Sequence, residues 1–223
     1  MVISYHGGEF IKASVGDTTI AFNPISKNSS LSGSRFGADI VLVSLNDKDM
    51  NGIEQVTYGE KSPFVISGPG EYEVEKLFIK GFPSVSRYAS SGKIAKEGRP
   101  NTIFMVTMEG MNLCFLGALS EKKVDPKIFE DVEEIDILFV PIGGEGVLSA
   151  SEAHEVAVSL EPRLIIPTHY PSTSSGQVGI GEKDALKTFL KEGGAEGEKA
   201  QEKLTIKKKD LEGKAGEIVV LSV

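Results

Sequence analysis

Histidine is scarce in this chain. Only His6, His154 and His169 occur among 223 residues, with a single cysteine, Cys114, and no tryptophan. One cysteine excludes an internal disulfide and fits a reducing compartment, so a cytoplasmic protein is expected. Three histidines exclude a hydrolytic site with two zinc ions of the usual kind, which takes about four or five nitrogen ligands plus carboxylates. Long apolar runs are missing too. None approaches the ~20 residues that a membrane helix needs. The N-terminus has no basic segment followed by an apolar one, so neither a membrane protein nor a secretory leader is expected. A formal net charge of -8 argues against nucleic acid or anionic lipid as a partner. The one basic run, Lys207-Lys208-Lys209, lies near an acid-rich segment and reads as a solvated strand face.

What is present is mostly strand-like. Val2–Tyr5 is short and apolar, Gly7-Gly8 supplies a turn, and Glu9–Val15 and Thr18–Phe22 flank Gly16-Asp17 as a hairpin. Ile40–Ser44 is apolar throughout, as a strand buried on both faces must be. Phe64–Ser67 and Leu77–Phe82 are further strands around Gly68-Pro69-Gly70. Ser84–Pro100 reads as a polar connection, and Thr102–Met108 pairs with Asn112–Leu116 across Glu109-Gly110.

The second half alternates helices and strands. Val124–Val132 is expected as a short helix capped by Asp125. Ser151–Leu160 follows as a helix with Ser151 as N-cap, and Lys183–Glu192 as another. Ile135–Val140, Leu164–Pro167, Leu204–Lys207 and Ile218–Leu221 are the remaining strands. A β-meander followed by alternating strands and helices predicts two packed sheets with helices outside, in one domain over residues 1–223. Apolar strands end in polar or Gly-rich loops after Val43, Leu116, Val140 and Ile166. The site is expected where these loops meet.

The loop after Val43 is the most informative. Leu45-Asn46-Asp47-Lys48-Asp49-Met50 places two acids two residues apart at the end of a buried strand, a position from which a rigid element aims ligands. It offers carboxylates and a thioether but no imidazole. Asp49 is a candidate ligand, with capping of its own loop as the alternative. Asp47 is a weaker candidate, with a solvated acid as its alternative. His169, after a strand, is a candidate ligand or catalytic group, or else an element of the cleft wall. His6 and His154 read as structural and surface residues, and Cys114 as a buried filler. Gly143-Gly144 offers backbone N–H groups to an anion, or simply makes a turn.

The order of these pieces resembles a known family. It runs Ile20-Ala21-Phe22-Asn23-Pro24, then Ala38–Ser44 with its acidic loop. Gly68-Pro69-Gly70-Glu71-Tyr72-Glu73, Asn101-Thr102-Ile103-Phe104 and Leu113-Cys114-Phe115-Leu116-Gly117 follow. Ile135–Gly144, Leu160-Glu161-Pro162 and Ile165-Ile166-Pro167-Thr168-His169-Tyr170 complete it. The ordered set resembles the metallo-β-lactamase superfamily, in the branch that includes ascorbate-6-phosphate lactonase-like hydrolases. The resemblance implies an α/β, four-layer αββα sandwich. Members carry Ser or Thr and then His-x-His-x-Asp-His where this chain has Ser44–Met50. The imidazole positions fall on Leu45, Asp47 and Met50, and the aspartate survives as Asp49. A further histidine falls near Pro83, the bridging aspartate on Ala118, and the last histidine on His169.

The expectation is a metallo-β-lactamase-fold pseudoenzyme without a metal centre, binding an unidentified small molecule or protein partner and needing no cofactor. The alternative is a hydrolase of lactone, ester or phosphodiester bonds with one divalent ion (Mn, Fe, Mg or Zn) on Asp47, Asp49 and His169. A structural subunit pairing through a sheet edge or helix face is a third possibility.

Overall fold

The computed structural model describes residues 1–60, 62–124, 134–171 and 180–223. Side chains in β1 (Val2–Tyr5) and β2 (Ile11–Val15) alternate in burial, the period of a strand with one face on a core. β3 (Thr18–Phe22), β4 (Ile40–Leu42) and β5 (Phe64–Ile66) complete a first sheet with β12 (Leu204–Thr205), in the order β12-β1-β2-β3-β4-β5. The second sheet contains β6 (Gly70–Val74), β7 (Leu77–Ser86), β8 (Arg99–Met108), β9 (Met111–Phe115), β10 (Ile137–Pro141), β11 (Leu164–Thr168) and β13 (Glu217–Ile218). Its order is β13-β11-β10-β9-β8-β7-β6. β10 and β11 run parallel and are buried along their whole length, which explains their unbroken apolar sequences.

The sheets pack face to face. Phe22 of the first meets Phe115 and Phe139 of the second, with ring centroids 5.0 and 5.9 Å apart. Helix α1 (Ala150–Leu160) packs on β10, and α2 (Ala185–Glu192) packs on α1. Over the first sheet the outer cover is largely irregular chain: Ile25, Ala38 and Val56 lie on Phe10, Ala21, Val41 and Val43. This is the expected two-sheet α/β sandwich. Among the described residues no helix is long and apolar enough to cross a membrane.

Several local expectations change. Ser84–Pro100 is not all connection, because β7 and β8 pair from Phe78↔Thr107 out to Ser86↔Arg99. α1 is capped by Ser149, not Ser151, in a reciprocal box with Glu152, which satisfies two otherwise unpaired N–H groups. Gly70–Val74 is a full edge strand. The lysine run is a 3-10 turn in which Lys208 Nζ lies 2.7 Å from buried Asp136. The helix expected at 124–132 falls almost wholly outside the described residues.

Candidate functional site

The loops after β4, β9 and β10 and the start of the loop after β11 meet at one end of the sandwich. Gly117, with φ +58°, is where they come closest: a Cβ there would sit 2.3 Å from Ser44 Oγ, so only glycine is tolerated. Leu45, Met50 and Ala118 pack together with Tyr88 and Val147 in one small apolar cluster, all buried. These three are the positions where the sequence resemblance leads us to expect two imidazoles and a carboxylate in other members. Pro83 lies in β7 opposite Thr102.

His169 follows β11 with a left-handed backbone, φ +58°, an uncommon conformation that histidine enters more readily than most residues. Its amide donates to the Gly8 carbonyl at 2.6 Å. Its ring is fully buried, with Nδ1 3.0 Å from Glu9 Oε1. Glu9 is equally buried, and its other oxygen accepts from Asn23 Nδ2 at 2.9 Å. Asn23 is held in turn by the Ser44 amide, which donates to Oδ1 at 2.7 Å. Gly143 lies against the imidazole edge, where a Cβ would be 2.7 Å from Cδ2. The Gly144 amide donates to the Leu148 carbonyl at 2.9 Å, so it is not offered to an anion.

The two acids of the β4 loop are both committed. Asp49 Oδ1 accepts from Ser29 Oγ and Oδ2 from the Tyr88 hydroxyl, each at 2.5 Å. Asp47 Oδ2 accepts from Arg99 Nη1 at 2.9 Å and from the Ser90 amide at 3.3 Å, and Oδ1 from the Asp49 amide at 3.2 Å. Burial pushes the Asp47 carboxyl up, but hydrogen bonds from Arg99, Ser90 and the Asp49 amide outweigh it and leave it below the usual range. Burial, reinforced by Asp49, pushes the Tyr88 phenol far above its ordinary value. Tyr88 therefore acts as a donor.

Asp49 and His169 are brought together through Tyr88. Its hydroxyl reaches Asp49, and its ring stands at 86° to the imidazole with centroids 4.9 Å apart. Asp47 faces Arg99 instead. Tyr88 and Asp49 also line a cavity of about 270 Å3 with Leu31, Ile94, Glu145 and Gly181. Among the described residues, no three His, Cys, Asp or Glu side chains form a group able to hold a metal ion. His6 bridges Ser4 and Ser34 beside Phe10 and Phe36, and His154 leans on Phe189. The sequence reading missed Glu9, Asn23, Ser29, Tyr88 and Arg99. Glu9 carried one usable signal, a lone acid between Gly7-Gly8 and Phe10-Ile11. The others sit in stretches whose composition marks nothing.

Residues 2–169 match the family model described as the beta-lactamase superfamily domain. A UPF0173 metal-dependent hydrolase of Listeria innocua is 27% identical over 196 residues, 76% of this chain and 85% of that protein. A namesake from Lysinibacillus sphaericus is 24% identical over the same share of each chain. Among solved structures, a candidate Zn-dependent hydrolase of the metallo-beta-lactamase superfamily from Thermotoga maritima matches with a TM-score of 0.73 at 26% identity, covering 100% of both chains. A metallo hydrolase from Ignicoccus hospitalis shares the fold at 14% identity and a TM-score of 0.66, over 99% of this chain and 94% of that one.

Proposed function

Because this chain belongs to the metallo-β-lactamase superfamily, we propose that it keeps the family frame as a catalytically impaired protein that binds a ligand or partner in its cleft. The commitment of both acids carries this reading. Asp47 is paired with the Arg99 guanidinium, and each oxygen of Asp49 accepts a hydroxyl, from Ser29 and from Tyr88. A cation arriving there meets a resident cation and two hydroxyl donors.

The relatives' names imply a divalent metal, and the residues of this chain do not fit one. His169 Nε2 is a suitable nitrogen, buried and without a hydrogen-bond partner among the described residues. Among the described residues no group of three His, Cys, Asp or Glu side chains gathers there, and Leu45, Met50 and Ala118 fill their positions with carbon and a thioether. No hydrolytic step through a metal-bound water is therefore derived. A carboxylate–imidazole pair without a metal supplies about 10²–10⁴-fold of general-base assistance at most. A cytoplasmic setting fits a chain whose one cysteine is a buried thiol.

A second reading is favoured by the relatives' names and by that orphaned imidazole nitrogen. It is a metal-dependent hydrolase with a single ion, acting on lactone, ester or phosphodiester bonds as the lactonase-like motif order suggests. The comparisons back it more strongly than the first, whereas the first has the support of this chain's own side chains. The second requires Arg99 and Tyr88 to leave the two acids.

Elemental analysis of protein purified without chelator, followed by zinc and manganese titration and by esterase, lactonase and phosphodiesterase screens, separates the two. We expect substoichiometric metal and no turnover above blank. One or more tightly held ions per chain, with turnover lost in both Asp49→Ala and His169→Ala, would establish the hydrolase instead.

A further inference from the structure

A cavity of about 430 Å3 is lined by Leu45 of the β4 loop, by Pro83 of β7 and by Arg99 and Thr102 of β8. It shares no lining residue with the smaller cavity beside Asp49 and Tyr88. Arg99 is the one ionisable side chain among the described residues that line it. Its guanidinium uses both N–H groups of Nη1, on Asp47 Oδ2 and the Tyr88 carbonyl, and one of Nη2, on the Asn46 carbonyl. Nε and the second N–H of Nη2 are left without a partner among the described residues. These two nitrogens share one edge of the planar fork, and that edge matches the pair of oxygens of a carboxylate. The bonds already made hold the guanidinium in place before any ligand arrives, which lowers the cost of ordering it. The neighbouring wall is equally fixed. Asn101 Nδ2 donates to Ser84 Oγ at 2.8 Å and to the Leu116 carbonyl at 3.0 Å, so its amide is not offered to a ligand. Ser67 and Thr102 bring hydroxyl donors, and Leu45, Pro69 and Pro83 bring apolar surface.

Resting on the reading in which Asp47 keeps Arg99 and no ion takes its place, we infer that this cavity binds the carboxylate of a small apolar organic acid. The open edge of Arg99 receives both oxygens. The Ser67 and Thr102 hydroxyls are the further donors on the wall, and the carbon body lies on Leu45 and the prolines.

Charge and shape narrow the class. Asp47 offsets much of the Arg99 charge, and the chain carries a net charge of -8, so a phosphate dianion meets little net attraction. A monocarboxylate needs one matched pair of donors more than it needs a strong field. A neutral amide of the same shape sets its own NH2 group against N–H donors and is rejected. The apolar walls favour a hydrocarbon body over a sugar-like one.

Benzoate and butyrate are the probes, with benzamide as the neutral isostere, inorganic phosphate as the dianion and sodium chloride to match ionic strength. The chain has four arginines, so 1H–15N spectra resolve each Nε–H, assigned through its own backbone. We expect both carboxylates to move the Arg99 Nε–H saturably, while the control solutes leave it in place and the remaining arginines stay unmoved. Read at the Thr102 amide, Arg99→Lys should weaken benzoate binding roughly tenfold, since lysine keeps a charge beside Asp47 but not the fork. Thr102→Val should weaken it roughly threefold. If Arg99→Lys does not fold, the wild-type titration and Thr102→Val decide. An unmoved Arg99 Nε–H with both carboxylates overturns the site and leaves the proposed function intact. A matching response to phosphate or benzamide overturns the ligand class, and wild-type affinity in Thr102→Val overturns the location. Zinc that survives dialysis and shifts the Arg99 Nε–H without carboxylate overturns both the reading and the site built on it.

Discussion

Arg99 Nη1 lies 2.9 Å from Asp47 Oδ2, so a side chain from β8 brings a permanent cation to an acid that the motif order offers as a metal ligand. The Arg99 side chain is 29% exposed and that of Asp47 7%. Two further bonds, to the Tyr88 and Asn46 carbonyls at 2.7 Å each, aim the guanidinium. It thus ties the β4 loop and the Tyr88 segment to one point.

Replacing Arg99 with Met strands a buried carboxylate. Loss of one partner of a buried pair costs about 3–5 kcal/mol, and partial exposure of the guanidinium brings our expectation down to about 1–3 kcal/mol. The sign with pH follows from Asp47, whose carboxyl is held below its unfolded value. The stability it contributes is complete above the usual carboxylate range, about pH 4. It is lost as pH falls through the folded value. Urea unfolding of wild type and Arg99→Met should therefore show a gap that narrows below about pH 4. A gap that stays constant on acidification would mean that the pair contributes packing and no charge.

Tyr88→Phe and Ser29→Ala each remove one hydroxyl from Asp49. Each should cost about 1–3 kcal/mol, since an acceptor is left short of a donor. The two effects share a partner, so the double variant should depart from their sum by about 0.5 kcal/mol or more. Additive losses in a double-mutant cycle would show that the two hydroxyls do not act on a common carboxylate.

Leu45→His, Asp47→His, Met50→His and Ala118→Asp in combination rebuild the family's donor set. Without metal this variant should melt below wild type, because polar groups replace an apolar cluster. Zinc should then raise its melting temperature by several degrees through preferential binding to the folded state. Zinc should leave wild type unmoved. A zinc-dependent rise in wild type, abolished by His169→Ala, would point to the single-ion hydrolase.

His6 provides a pH dependence unrelated to the cleft. Burial, helped by Lys12, lowers its imidazole to about 4. Between that value and the ordinary ~6.5 the unfolded chain binds a proton that the folded chain does not. Stability should fall as pH drops through this window, and His6→Gln should flatten the slope. Chemical denaturation from pH 7 to pH 4 provides the check. An unchanged slope in His6→Gln would assign the acid sensitivity elsewhere.

Cys114 is fully buried, and burial pushes its thiol up to about 12. An aromatic disulfide reagent at pH 8 should leave the native protein unmodified and label it once on denaturation. Rapid labelling of native protein would mean that β9 opens locally.

Much of the frame could be read from the chain. Ile137–Pro141 and Leu164–Thr168 are buried on both faces, and an unbroken apolar run has few other uses at that length. Edges and caps were harder. Gly70–Val74 carries alternating Glu71 and Glu73 on an exposed edge, a composition that suits a loop equally well. Ser149 and Ser151 are both acceptable caps, and the reciprocal bond with Glu152 selects Ser149.

The candidate cleft divides in the same way. Residue types alone determined how little imidazole and thiol the chain has to offer, three histidines and one cysteine, because a side chain's donor atoms do not depend on where it folds. Only the tertiary structure decided what the surviving acids do. Asp47 meets Arg99 across 52 residues of chain, Asp49 meets Tyr88 across 39, and His169 meets Glu9 across 160. Such pairings depend on which loop ends the two sheets bring to one edge, and short-range periodicity carries no trace of that.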